Sequence, residues 1–147
     1  MPVVRLDVAP DPAYVRVARL VAVSLARLHG VDEEVVEDVR LAVGEACGRA
    51  VAAQSRASID APVVVDFEGG AGLTVTVSDT VPLARASGAD AVALLAHGTR
   101  DGSDTPSTEY VETPPEVIAL LEGLADSVTV DTGGAGTAVS LHWSRGT

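Results

Sequence analysis

Two stretches of the chain carry the same four letters, Gly69-Gly70-Ala71-Gly72 and Gly133-Gly134-Ala135-Gly136. Each lies between runs that alternate apolar and polar. Val63-Val64-Val65-Asp66-Phe67-Glu68 enters the first, and Leu73-Thr74-Val75-Thr76-Val77-Ser78-Asp79 leaves it. Ser127-Val128-Thr129-Val130-Asp131 enters the second, and Thr137-Ala138-Val139-Ser140-Leu141-His142-Trp143 leaves it. A period of two marks a strand with one buried face, and glycines between two such runs mark a tight turn. A phosphate-cradling glycine loop runs into a helix N-terminus. Both of these run into strands, so they read as hairpin turns. Two hairpins force antiparallel pairs and exclude a doubly wound parallel sheet.

The remaining segments supply a strand and the helices. Val3 to Val8 reads V-V-R-L-D-V, a first strand stopped by Pro10-Asp11-Pro12. Asp11 suits an N-cap and Pro12 the first helical position. The first helix is expected to run to about His29, with Tyr14, Val17, Ala18, Val21, Leu25 and Leu28 as its core stripe and Gly30 as its stop. Asp32 opens a second helix to about Arg56. Glu33, Glu34 and Glu37 in its first turn suit the positive end of the helix dipole. Pro114-Pro115 opens a third, Glu116 to about Ala125. Between Thr80 and Pro115 the pattern weakens. Ala89 to Ala96 reads as a short helix, and His97 to Thr113 as a polar loop or linker. Five strands with one apolar face need helices on one side. The expected class is α/β in its α+β form, a two-layer sandwich with a mixed, mostly antiparallel sheet and helices on one face.

Composition narrows the function. The 147 residues fit one domain, 1–147, and 47% are hydrophobic but only 3% aromatic, so Val, Leu and Ala must build the core. The chain has no lysine, which removes a P-loop lysine and any Schiff-base lysine. It has no asparagine either. His29, His97 and His142 stand far apart without metal-ligand spacing, so no metal site is expected. The net charge of −11 opposes binding to nucleic acid or anionic membranes and favours a partner with a basic surface. No long uncharged apolar run spans a bilayer, and Met1 to Pro10 does not read as a signal peptide. The lone Cys47 suits a reducing compartment, so a cytoplasmic location is expected.

Three residues carry candidate chemistry. Cys47 lies on the apolar stripe of the second helix with no histidine nearby in sequence, and reads as a small core residue. Glu45 lies mid-helix with Arg49 four residues on. It is either one end of an i,i+4 ion pair or a general base on the helix's non-core side. Asp79 ends a strand and is either a turn residue or an acceptor for a ligand amine.

Taken together, L-A-V-G-E-A-C-G-R-A-V in the second helix, a hairpin ending V-S-D, and L-A-D-S-V-T-V followed by G-G-A-G-T-A-V-S-L resemble the anti-sigma-factor serine kinases. These have the histidine-kinase-like ATPase, or Bergerat (GHKL), fold. The resemblance covers Val4 to about Asp79 and again about Pro115 to Trp143. It implies that Glu45 matches the catalytic base, Asp79 the acceptor of the adenine amino group, and Thr137 the threonine that supports that Asp near adenine. Where the family has a magnesium-binding Asn, this chain has Arg49. The family's Asp-x-Gly-x-Gly reads Asp79-Thr80-Val81-Pro82-Leu83, and its later Gly-x-Gly-Leu is replaced around Pro114-Pro115.

A cation does not coordinate a cation, and proline deletes an amide donor from a phosphate cradle. The resemblance therefore implies a degenerate member: no cofactor is expected, ATP binding would be weak, and the magnesium site is lost. Asp79, Thr137 and Arg49 would be a vestigial nucleotide site, with residues 80–113 as a variable lid-like segment. The implied function is a regulator that binds a sigma factor, a STAS-type anti-anti-sigma factor, or both, with Arg16 and Arg19 of the first helix as candidate contacts and a homodimer by analogy. The rival is an active ATP-dependent serine kinase acting on the anti-anti-sigma factor. A third possibility is a nucleotide-independent signalling scaffold.

Overall fold

The computed structural model describes residues 3–82, 115–133 and 135–147. β1 (Val4–Val8) leads through a 3-10 turn (Pro12–Tyr14) into α1 (Val15–Leu28) and α2 (Glu33–Arg56). β2 (Val63–Gly70) and β3 (Gly72–Ser78) form a hairpin. α3 (Pro115–Leu124) precedes a second hairpin, β4 (Ser127–Gly133) and β5 (Gly136–Ser144). The expected helix at Ala89 to Ala96 and the loop at His97 to Thr113 lie outside the described residues.

The strand order is β1-β2-β3-β5-β4, and every neighbouring pair is antiparallel. The sheet is therefore wholly antiparallel rather than mixed. The second hairpin pairs with the first through β3 and β5, with no crossover that would need a parallel neighbour. Alternation sets the two faces. Val63, Val65 and Phe67 of β2 and Val75 and Val77 of β3 are fully buried beneath the helices. Asp66, Thr74, Thr76 and Ser140 occupy the other face, where the Thr76 and Ser140 hydroxyls hydrogen-bond at 2.9 Å.

Local chemistry explains the helix boundaries. The Asp11 carboxylate accepts from the Ala13 amide at 2.9 Å, and Pro12 begins the 3-10 turn. Gly30 ends α1 with φ +80°, a conformation that glycine adopts without strain. Across that turn Arg27 grips Glu33 at 2.6 Å and holds its carboxyl below the usual carboxylate range. The chain's end is tied to the same corner, where the Gly146 amide donates to the Gly30 carbonyl at 2.8 Å. Trp143, fully buried, donates from Nε1 to the Leu124 carbonyl at 2.8 Å and so fixes the end of α3 to the sheet. No described helix is long and apolar enough to cross a membrane.

The buried face of α1 differs from the expected stripe. Val15, Ala18, Ala22, Leu25 and Ala26 face the core, whereas Tyr14, Val17 and Leu28 are exposed by 51%, 47% and 72%. The reason is packing. α1 approaches its neighbours through small alanines, which score weakly in any reading of hydrophobicity. The larger apolar residues stand on its outer flank.

Candidate functional site

Helical spacing brings Glu45, Arg49, Ala52 and Arg56 to one side of α2, opposite the core residues Ala46, Cys47 and Ala50. With Gly48, Ala53 and Val117 of α3 they line a cleft of about 260 Å³. The end of β3 reaches the same helix. Asp79 is only 4% exposed, and its two oxygens are engaged separately. Oδ1 accepts from the Val81 amide at 3.0 Å and the Thr137 amide at 3.2 Å. Oδ2 accepts from the Arg49 guanidinium at 2.5 Å.

This arrangement overturns one of the two readings of Glu45, the i,i+4 ion pair with Arg49. Arg49 does not pair with Glu45 one turn away. It turns inward to Asp79, with its side chain 10% exposed. The buried carboxylate is the better partner, because removing a charge from water is offset only by a close counter-ion and hydrogen bonds. Glu45 is left exposed at the cleft, with no hydrogen bond or ion pair among the described residues. Arg49 Nε is buried without a partner among those residues.

Asp79 and Thr137 meet through the Thr137 backbone, and the contact is reciprocal. Besides donating to Oδ1, Thr137 accepts from the Asp79 amide through its carbonyl at 3.0 Å. The start of β5 approaches this corner so closely that a Cβ on Gly136, at φ +140°, would lie 2.1 Å from the Asp79 carbonyl oxygen. Gly136 is thus required by the approach as well as by its backbone angle.

Two residues of the site were not singled out from sequence. Gln54, fully buried, donates from Nε2 to the Ala61 carbonyl and accepts at Oε1 from the Thr80 amide (2.8 Å) and hydroxyl (3.1 Å). It stands at core spacing after Cys47 and Val51, and a polar side chain on a core stripe was its available signal. Val81, 5% exposed, contributes its amide rather than its side chain, which no sequence pattern reveals.

Arg16 and Arg19 are placed differently from each other. Arg16 is exposed. Arg19 is half-buried, and its stem lies across Gly44 of α2, where an added Cβ would meet Arg19 Cδ at 2.8 Å. Cys47 is fully buried, and burial pushes its thiol up to about 12, against a smaller opposing pull from Arg19. Among the described residues no three His, Cys, Asp or Glu side chains cluster as a metal site requires.

The class follows from the layout: helices on one face of an antiparallel sheet, with α2 lining a cleft and reaching the end of β3 through Arg49. The family model of the histidine kinase-like ATPase domain matches residues 8–143, and the chain belongs to this family. No curated protein matches it. The Asp79 carboxylate has three donors among the described residues, two backbone amides and the Arg49 guanidinium.

Proposed function

We propose that the domain is an anti-sigma-factor-like regulator. It binds a sigma factor, a STAS-type anti-anti-sigma factor, or both, and its nucleotide end is closed. The observation that supports this reading is the buried Arg49–Asp79 pair. Phosphoryl transfer depends on positioning and on charge stabilisation by metal ions and backbone amides. On this reading a fixed positive charge stands where the family has a metal ligand and engages the carboxylate that matches the adenine acceptor. What persists is a folded shell with exposed surface, suited to recognising proteins.

One observation favours the rival reading of an active serine kinase. Glu45, the residue matching the family base, is exposed at the cleft and unengaged among the described residues.

Calorimetry of the full chain with ATP and Mg²⁺ separates the two. No binding in the micromolar range is expected. Micromolar, Mg²⁺-dependent binding, or transfer of phosphate to a STAS protein, would overturn the closed-site reading. Binding assays with purified sigma factors and STAS proteins test the regulator reading directly, and capture of neither class would defeat it. Arg49→Asn removes the guanidinium and restores an amide ligand. Recovered ATP binding by that variant would assign the closure to this one side chain.

A further inference from the structure

β4 closes one end of the sheet, and no described residue pairs with its outer side. It runs seven residues, Ser127–Gly133, in unbroken one-to-one register with β5. It is rich in β-branched residues and holds no proline, lysine or arginine. Edge strands that stay unpaired are typically short or bulged, or carry proline or lysine. β4 has none of these devices, and its backbone presents usable groups outward. The Ser144 amide donates to Asp126, and the His142 carbonyl accepts from the Asp126 amide. The even-numbered residues of β5 therefore turn their backbone groups toward β4. Through the register Thr129↔Ser140 and Asp131↔Ala138, Thr129 and Asp131 make the ladder bonds. Alternation then leaves the amides and carbonyls of Val128, Val130 and Thr132 directed away from the sheet.

Its side chains sort to two faces. Val128 and Val130 stand opposite the buried Leu141 and Val139 on the helical side, where Val130 remains 37% exposed. α3 lies against β4 on that side, and its Leu120 is 46% exposed. Ser127, Thr129 and Asp131 stand on the polar face, where Thr129 is opposite Ser140. The charge of this unit has one sign. From Pro115 to Ser144 the chain carries Glu116, Glu122, Asp126 and Asp131 and no lysine or arginine. Glu116, Glu122 and Asp131 are exposed, with no hydrogen bond or ion pair among the described residues.

We infer that β4 is a docking edge for an extended segment of a second, different protein, which adds to the sheet as a further strand. The segment that fits alternates apolar residues with lysine or arginine. Its backbone completes the outward amides and carbonyls of Val128, Val130 and Thr132. Its apolar side chains lie on the helical side beside Val128 and Val130. Its basic side chains lie on the polar face beside Asp131, within the field of Glu122 and Asp126. Charge selects this occupant. A second copy of the chain brings the same four carboxylates and no cation, so pairing β4 with β4 sets like charges together. An acidic segment is repelled for the same reason.

The inference uses neither Arg49 nor the cleft, so it stands or falls apart from the functional reading. The probe is a synthetic peptide of about nine residues that alternates valine with arginine. It is titrated against the full chain by fluorescence anisotropy, beside a control of equal charge with proline at alternate valines. The alternating peptide should bind about tenfold or more tighter than the control. It should also slow hydrogen exchange at the Val128 and Val130 amides. Val130→Pro removes one outward amide and no bond of the β4–β5 ladder, and should weaken the peptide by about tenfold. Asp131→Arg keeps the edge and reverses its charge. It should weaken the arginine peptide by about fivefold and bind a valine–glutamate peptide better than the wild type does. Circular dichroism melting checks that both variants are folded. No binding, equal binding of the two arginine peptides, or binding that leaves the two amides unprotected overturns the inference. So does protection of those amides in the chain alone, or an Asp131→Arg variant with unchanged charge preference.

Discussion

The Arg49 guanidinium donates to Asp79 Oδ2 at 2.5 Å, thirty residues along the chain, and leaves Glu45 one turn away without it. A surface ion pair along α2 would be worth a few tenths of a kcal/mol. The pair actually formed joins α2 to the end of β3 at a site where Asp79 is 2% and Arg49 10% exposed in side chain. It therefore acts as a structural tie.

Arg49→Ala should expose the cost of that tie. It leaves a buried carboxylate with two amide donors and no counter-charge. A loss of about 3 kcal/mol in urea unfolding is expected. A double-mutant cycle with Asp79→Asn should return a coupling energy above about 1 kcal/mol, since the two side chains touch. Additive effects would show that the pair contributes nothing to the folded state.

Two glycines should respond in opposite directions. Gly136→Ala places a methyl group 2.1 Å from the Asp79 carbonyl oxygen at φ +140°. It should destabilise the domain by about 2 kcal/mol or more. Gly48 lies inside α2 with no described atom within 4 Å of an added Cβ. Gly48→Ala should stabilise by about 0.5–1 kcal/mol through helix propensity. Thermal melting of both variants checks the pair.

Cys47 should be inert while the domain is folded, because burial raises its thiol to about 12. Above its ordinary value near 9 the unfolded chain gives up the proton while the folded chain keeps it. The unfolded state then binds fewer protons, so stability falls as pH rises from about 9 to about 12, by at most about 1.4 kcal/mol per pH unit. Cys47→Ala should lose this component, so its deficit relative to the wild type should be constant below pH 9 and shrink above it. A thiol reagent such as DTNB should react at neutral pH only at the rate of unfolding.

The fold was legible because alternation and turn glycines are local signals. The hairpin at Gly69 to Gly72, the stop at Gly30 and the extent of α2 could each be read from neighbouring residues. The inward face of α1 could not, since Ala22 and Ala26 gain burial only through close packing that periodicity does not weigh. At the site, the meeting of Asp79 with Thr137 was reached through resemblance alone. The choice Arg49 makes between Glu45 and Asp79 depends on relative burial, which is a tertiary property. Gln54 shows the same limit, because its partners at Ala61 and Thr80 are set by where the loop and the strand end converge.

The Arg49–Asp79 pair also bears on which small molecules would suit this cleft, because Arg49 lines it. A purine mimic would bring a fourth donor to an aspartate that already accepts from Val81, Thr137 and Arg49 and lies behind the cleft's lining. An inhibitor scaffold suited to the cleft would carry an acid instead, competing for the guanidinium and drawing it away from β3.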